Sequence, residues 1–329
     1  MRKILDVILI ITLLLGFSIP VMAECTEKLS IDESKLTEAQ EWWESEMSMY
    51  IHFWDRFTLV ELPDHPWFKV FELPGNVYAL FEYRQRELVI SYLIPGEETA
   101  LLWDTGLGIG NIRACVEELT GLPIIVLNSH SHPDHIGGNA LFDTVMCYNN
   151  DLAIRKLTRG VSHEELVDYF PPEAIIDPPE GFSPDTWSTA GKAPTATVED
   201  GQIIDLGNRR LEVLYTPGHN ENSIMLIDEE NKLLFAGDTW YPGPLYAFLE
   251  DSSMPVYIES MKKAEKVIQE KNIQWIYGSH NGIVPGKELF FDTTTFFEDV
   301  LAGKYDYKVV NGLRVYQKDD IFAVQLAEE

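Results

Sequence analysis

A mixed α/β chain, two β-sheets stacked face to face with helices on both outer sides in the order αββα, is what the sequence predicts. Two observations carry this. Short apolar, β-branched runs come in two series, over residues 68–148 and 203–236, and stretches of helical periodicity follow or interrupt each series. Polar turns containing Gly, His and Asp stand at the ends of several of these runs, where a buried strand delivers side chains to a sheet edge.

The chain opens with Met1-Arg2-Lys3, an apolar run from Val7 to Leu15, and Val21-Met22-Ala23. That run is shorter than the ~20 apolar residues of a membrane span, so residues 1–23 read as a cleaved export signal, with an uncleaved anchor as the alternative. Glu24 before Cys25 argues against lipid attachment. The product is expected outside the cytoplasm, periplasmic or extracellular, with no stable membrane association after cleavage. Residues 24–67 form an aromatic N-terminal extension. Within it 36–50 reads as a helix, Thr37 and Gln40 making a capping box and Ala39, Trp43, Met47 and Tyr50 falling on one face. Trp42, Trp43, Trp54 and Trp67 either pack this extension on the sandwich or wall a pocket; His52 and His65 lie outside any motif.

The main domain is expected over 68–329. Strands are predicted at Phe68–Leu73, Val77–Tyr83, Leu88–Pro95 and Ala100–Asp104, a meander with polar turns. A helix is predicted over 111–120, with Ile112, Cys115, Val116 and Leu119 on its apolar face. The run Pro123–Leu127 then reads as a buried strand, and it leads into His130-Ser131-His132-Pro133-Asp134-His135-Ile136-Gly137-Gly138. Residues two apart in extended chain point the same way, so His130 and His132 reach one point while Asp134 and His135 reach another. So many imidazoles and carboxylates would lack partners as core residues, and the stretch reads as metal-binding.

A strand at 144–148 and helices near 150–158 and 163–170 follow, the second with Ser162 and Glu165 as a capping box and His163 on its solvated side. Residues 171–198 are rich in proline and lack periodicity, either a lid beside the site or a surface excursion. Strands at Ile203–Leu206, Arg210–Tyr215, Ser223–Ile227 and Leu233–Ala236 make the second series. They bring Thr216-Pro217-Gly218-His219 and Ala236-Gly237-Asp238-Thr239 to strand ends, and Tyr277-Gly278-Ser279-His280 follows a further strand at Trp275–Tyr277. Helices at 255–270 and 286–302 and short strands at Lys308–Val309, Leu313–Tyr316 and Ile321–Gln325 complete the reading.

The order H-x-H-x-D-H, then single His, Asp and His, with Asp104 of Trp103-Asp104-Thr105-Gly106 upstream, resembles the metallo-β-lactamase superfamily over residues 68–280. The resemblance implies the αββα sandwich. It also implies that His130, His132 and His219 hold one metal ion, that Asp134, His135 and His280 hold a second, and that Asp238 bridges them. Zinc suits these nitrogen and oxygen ligands, with iron or manganese as alternatives. The implied enzyme is an exported hydrolase of a small acyl substrate such as a lactone or ester, acting through a hydroxide between the two ions. Asp134 would also orient the nucleophile, and Asp104 would hold a ligand loop from behind. Tyr241 and Tyr246 either donate to a developing oxyanion or pack under their loop. An Asp in the bridging position resembles the glyoxalase II, lactonase and phosphodiesterase branches. The segment after His280 is too short and strand-like for the helical C-terminal domain of glyoxalase II, which leaves an esterase, lactonase or related acyl hydrolase, with β-lactam hydrolysis as runner-up. A mononuclear iron dioxygenase of the same fold is the less favoured alternative.

Composition narrows the substrate. The formal charge of −28 disfavours polyphosphate backbones, so no nucleic-acid partner is expected unless the pocket is locally basic. Cys25, Cys115 and Cys147 make no disulfide framework, although one bridge is open to them in an oxidising compartment.

Overall fold

A computed structural model describes residues 50–169, 175–284 and 286–328. The export signal expected over 1–23, the helix expected over 36–50 apart from Tyr50, and residues 171–174 of the proline-rich segment lie outside the described residues. The chain forms two compact units, Met1–Asp55 and Arg56–Glu329. In the first, a 3₁₀ turn spans Ile51–Phe53, and the rings of Tyr50 and Phe53 lie 6.1 Å apart.

The second unit starts before Phe68, the boundary expected from the sequence, because Thr58–Val60 (β1) adds an edge strand to the first sheet. That sheet continues through β2 (Lys69–Leu73), β3 (Val77–Phe81), β4 (Ile90–Pro95) and β5 (Ala100–Trp103), each antiparallel to the last. Helix α1 (Ile112–Leu119) then carries the chain across so that β6 (Ile124–Leu127) and β7 (Thr144–Tyr148) join in parallel, as a parallel neighbour requires. Asn111 caps α1 by accepting the Ala114 N–H at 3.1 Å, and Ile112, Cys115 and Val116 are the buried face. These side chains share a core with Val70, Leu80, Leu102, Val126 and Val145, which puts α1 on one face of the sheet.

Between β6 and β7 lies the one-turn helix α2 (Pro133–Ile136), and after β7 come α3 (Asp151–Arg159) and α4 (His163–Leu166). Ser162 and Glu165 do form the capping box of α4. The segment expected to be wholly irregular contains two strands. β8 (Gly160–Val161) pairs with β9 (Thr189–Ala190), and β10 (Ala196–Val198) runs parallel to β7 as the last strand of the first sheet. Their shortness and the intervening prolines hide them from a period-2 reading.

The second sheet has the order β11 (Ile203–Asp205), β12 (Arg210–Tyr215), β13 (Ile224–Asp228), β14 (Leu233–Gly237) and, parallel to β14, β16 (Trp275–Gly278). In chain order β15 (Pro244–Ala247) and α5 (Met254–Glu270) come before β16, and α6 (Lys287–Leu301) comes after it. Every residue of β13 and β14 is buried, so both faces of this sheet are covered. One cover is the first sheet: Tyr92 on β4 meets Phe235 on β14 at 5.5 Å and stacks on Tyr277 of β16 at 5.6 Å. Tyr257 of α5 packs edge-on against Phe297 of α6 at 5.1 Å. At the far edge of the two sheets the Arg209 Nε–H donates to Asp228 at 2.8 Å, and its Nη1 reaches the Asn76 and Pro95 carbonyls of the first sheet.

The C-terminal strands β17 (Lys308–Val310), β18 (Leu313–Gln317) and β19 (Ala323–Ala327) form a separate four-stranded sheet with β15, in the order β15-β19-β18-β17. Cys115 and Cys147 are buried and unpaired, and burial pushes both thiols up to about 12. No helix among the described residues is long and apolar enough to cross a membrane.

Candidate metal centre

Backbone chemistry brings the motif residues together. β6 ends at Leu127, and Pro133 at the start of α2 presets the turn, with His132 extended before it. Asp134 and His135 therefore project from a helical turn, while His130 lies on the bend after β6 and His132 in extended chain before the turn. Gly137 permits this tightness: a Cβ there would lie 2.2 Å from the Leu107 carbonyl carbon. His219 follows β12 through Gly218, whose φ of +142° and approach to the Tyr257 backbone exclude a side chain. Asp238 follows β14, and His280 follows β16, so the sheets' own strand ends supply the site.

The ligand atoms form compact groups with members within 4.8 Å of one another: His130, His132 and His219; Asp134, His135 and His280; and His130, His135 and Asp238. Asp238 reaches both of the first two groups, with Oδ2 3.5 Å from His219 Nε2 and 3.0 Å from His280 Nε2. Every residue expected as a metal ligand is thus in one buried cluster.

The outer nitrogens fix which atoms face inward. His135 Nδ1 donates to Asp104 Oδ2 at 3.0 Å, His219 Nδ1 to the Tyr246 carbonyl at 3.0 Å, and His280 Nδ1 to the Glu87 carbonyl at 2.6 Å. Ser129 Oγ spends its proton on Asp104, so it accepts from His130 Nδ1 at 2.9 Å. His132 is reversed: its Nε2 faces Asn220 at 3.0 Å and Asp251 at 3.7 Å, leaving Nδ1 inward. His130 Nε2, His132 Nδ1 and His219 Nε2 then meet within 3.0 Å of one another along two edges. Facing lone pairs repel unless a cation lies among them. His135 Nε2 and Asp238 Oδ1 are buried with no hydrogen-bond partner, which is the second sign that the cluster fits a metal.

Within the cluster the carboxylates and imidazoles shift one another. Burial opposes charge on Asp134 and Asp238, yet His135 beside them holds both carboxyls below the usual range, Asp134 at about 2. Burial likewise opposes a charged His135, but the Asp238, Asp134 and Asp104 carboxylates lift it well above the ordinary histidine value. Asp104 lies behind the ligands, accepting from Ser129 N, Ser129 Oγ and His135. It adopts a positive φ of 64° to do so.

The cluster opens into a cavity of ≈ 950 Å³ whose wall includes His132, Asp134, His219, Asp238 and His280. Tyr246 lines it; Tyr241 does not, and its hydroxyl donates to the Pro244 carbonyl at 2.8 Å while its ring packs 4.8 Å from that of His280. Of the two roles open to Tyr241, packing is the one this placement matches. No described residue of 175–198 lines the cavity, so the described part of the proline-rich segment is not its lid. His65 pairs with Glu118 at 3.5 Å, and His163 Nδ1 lies 3.3 Å from the Trp187 carbonyl, both away from the cluster.

Sequence reasoning missed Tyr169, which lines the cavity with its hydroxyl 3.5 Å from Asp134 Oδ1. Burial, then the Asp134 carboxylate, push this phenol well above its ordinary value, so it keeps its proton. It also missed Asp251 and Asn220 behind His132, because neither stands in a motif. The wall further carries the cations Arg86, Arg155, Lys156 and Arg159, interspersed with the carboxylates Glu87, Glu165, Glu221, Glu250 and Asp251.

The sequence profile of the Metallo-beta-lactamase superfamily matches residues 86–145 and 155–280. Among curated proteins the chain is 28% identical over 211 residues to the acyl-coenzyme A thioesterase MBLAC2 of Homo sapiens, covering 60% of this chain and 75% of that protein. It is 25% identical over 156 residues to the hydroxyacylglutathione hydrolase GloC of Haemophilus influenzae, covering 46% and 66% respectively. The DIM-1 metallo-beta-lactamase structure superposes with a TM-score of 0.52 at 12% identity, covering 72% of this chain and 99% of that one, a likeness of fold. With the fold, the His and Asp cluster and the profile in agreement, the chain is a metal-dependent hydrolase and belongs to the metallo-beta-lactamase superfamily.

Proposed function

We propose that the chain is an exported dinuclear zinc hydrolase that cleaves a small acyl substrate, with a thioester as the favoured acyl bond and lactones or oxygen esters next. The observation that carries this reading is Asp238, which touches both histidine groups on the floor of the cavity. A carboxylate in that place has the reach to join two ions. When bound, such a pair supplies Lewis acidity and an acidified water at neutral pH.

The chain's own residues supply positioning and proton handling. His130, His132 and His219 would hold one ion, and Asp134, His135 and His280 the other, each histidine locked by its outer nitrogen. Asp134 faces the cavity and receives the Tyr169 hydroxyl, so it orients a nucleophile on that side. Tyr169, protonated and cavity-facing, is placed to donate to a developing oxyanion or leaving group. Preference for a thioester rests on the relatives named thioesterase and hydroxyacylglutathione hydrolase. β-Lactam hydrolysis is the second reading, favoured only by fold.

The test is elemental analysis of protein purified without chelator, followed by rates on an acyl thioester, a lactone, a β-lactam and an aryl phosphodiester. Two equivalents of zinc and fastest turnover of the thioester are expected. A single equivalent after zinc supplementation overturns the dinuclear reading, and a phosphodiester faster than every acyl compound overturns the acyl reading. Fractionating the producing cells tests export, and sequencing the N-terminus of the exported protein tests the signal: a start at Glu24 is expected, and a retained Met1 supports the uncleaved anchor.

A further inference from the structure

We infer that one face of α3, built by Arg155, Lys156 and Arg159, is an anion subsite that holds a phosphate-bearing leaving group of the substrate. The inference rests on the thioester reading for the acyl half, while the subsite itself is testable by binding alone. In α3, residues 152, 155, 156 and 159 follow the i, i+3, i+4, i+7 spacing of a single helix face, and all of them line the cavity that contains the metal cluster. Arg86 lines the same cavity. The wall as a whole also carries seven carboxylates, so what marks these cations is their grouping on one helix face and not their number.

A helix C-terminus favours Lys156 and Arg159 for its dipole, but that preference does not dictate that they and Arg155 share the cavity face. Their present partners leave charge to spare. Lys156 lies 3.7 Å from the part-buried Asp251, Arg159 pairs with Glu165 at the surface, and Arg155 makes no ion pair among the described residues. A solvent-facing pair such as Arg159–Glu165 is worth about 0–1 kcal/mol, so a multivalent anion competes with it. Of the carboxylates on the wall, Asp251 and Glu165 are partnered by Lys156 and Arg159, while Glu87, Glu221 and Glu250 oppose an anion elsewhere, which makes the α3 face, and not the wall as a whole, the binding surface. Size points the same way. A cavity of ≈ 950 Å³ stands near the top of the range for small-molecule sites and has room for a carrier beyond the reacting acyl group.

The experiment compares metal-loaded full-length protein on two thioesters with the same acyl group, one of coenzyme A and one of pantetheine, which lacks the phosphates. The coenzyme A thioester is expected to have a kcat/KM higher by about tenfold, carried by KM, and the advantage is expected to shrink as salt rises. In the Arg155→Glu, Arg159→Glu double variant, altered only at exposed positions, the ratio is expected to fall to near one. Equal kcat/KM for the two thioesters in the parent, or an advantage that survives the double variant, overturns the subsite. A separate titration with adenosine 3′,5′-bisphosphate reads the subsite without hydrolysis, and its Kd is expected to rise about tenfold in the double variant. If neither thioester is cleaved, the thioester reading falls and this titration alone judges the α3 face, an unchanged Kd overturning it.

Discussion

The Asp104 carboxylate lies directly behind His135, with Oδ2 3.0 Å from Nδ1, while Oδ1 and Oδ2 also take the N–H and hydroxyl of Ser129 beside His130. One buried side chain thereby orients a histidine from each of two ligand groups. Asp104→Ala is expected to weaken metal affinity about 10- to 100-fold. Asp104→Asn, which tolerates the positive φ but places an amide against His135 or Ser129, is expected to fall between. Competition with a chelator of known affinity measures this; parental affinity in Asp104→Ala would show that the ligands are fixed by packing alone.

Asp238→Ala is expected to lower kcat/KM about a hundredfold or more and to reduce metal content, because its carboxylate faces both ligand groups. Folding is expected to survive, since the cores of the two sheets lie behind the site. Full metal content at the parental rate would remove Asp238 from the bridging role.

Tyr169→Phe retains the ring that walls the cavity and removes the hydroxyl 3.5 Å from Asp134. A fall of about a hundredfold in kcat with little change in KM is expected for a lost oxyanion or leaving-group donor. An effect on KM alone assigns Tyr169 to the wall. Tyr241→Phe is the control, since its hydroxyl is spent on Pro244.

Glu82 is buried, accepts the Trp67 Nε1–H at 2.9 Å, and occupies the space a side chain at Gly106 of the Asp104 loop would need. Burial, only partly offset by the Trp67 bond, raises its carboxyl from 4.5 to about 7. Between these values the folded protein keeps a proton that the unfolded chain releases, so this group's contribution is full below pH 4.5 and is lost as pH rises through 7. The amount is about 3 kcal/mol. Glu82→Gln keeps the Trp67 bond without the titration. In chelated protein it is expected to be more stable than the parent at pH 8 and no more stable at pH 4, by denaturant unfolding at each pH. A constant difference across that range would show that Glu82 does not titrate as its burial requires.

Arg209 joins the second sheet to the first through Asp228 and the Asn76 and Pro95 carbonyls. Arg209→Ala leaves Asp228 buried and charged and is expected to cost about 3–5 kcal/mol. Arg209→Met with Asp228→Leu is expected to recover much of that loss. Thermal unfolding of the set decides it, and a single variant as stable as the parent would mean that water reaches Asp228.

The ligands were legible in the sequence because the chemistry that marks them is local. His130, His132, Asp134 and His135 occupy six consecutive residues, and His219, Asp238 and His280 each stand at the end of an apolar run beside glycine, where a strand must stop and turn. The strands and helices around them obey periodicity for the same reason: each pattern is completed within a few residues. What surrounds the ligands has no such signature. The carbonyls of Glu87 and Tyr246 that lock His280 and His219 are backbone atoms, identical in every residue, and only the fold brings them to 2.6 and 3.0 Å. Tyr169, Asp251 and the α3 cations come from elements whose local pattern is that of an ordinary helix or loop. Tyr241 and Tyr246, alike in sequence, were separated by the turn between them, which aims one hydroxyl at Pro244 and lines the cavity with the other residue. Net charge is silent on the grouping of the α3 cations too, since a sum over the whole surface carries no information about one helix face. Ligand identity is written in neighbouring residues; protonation, orientation and the surroundings of the substrate depend on residues far apart in the chain, and only tertiary packing brings those together.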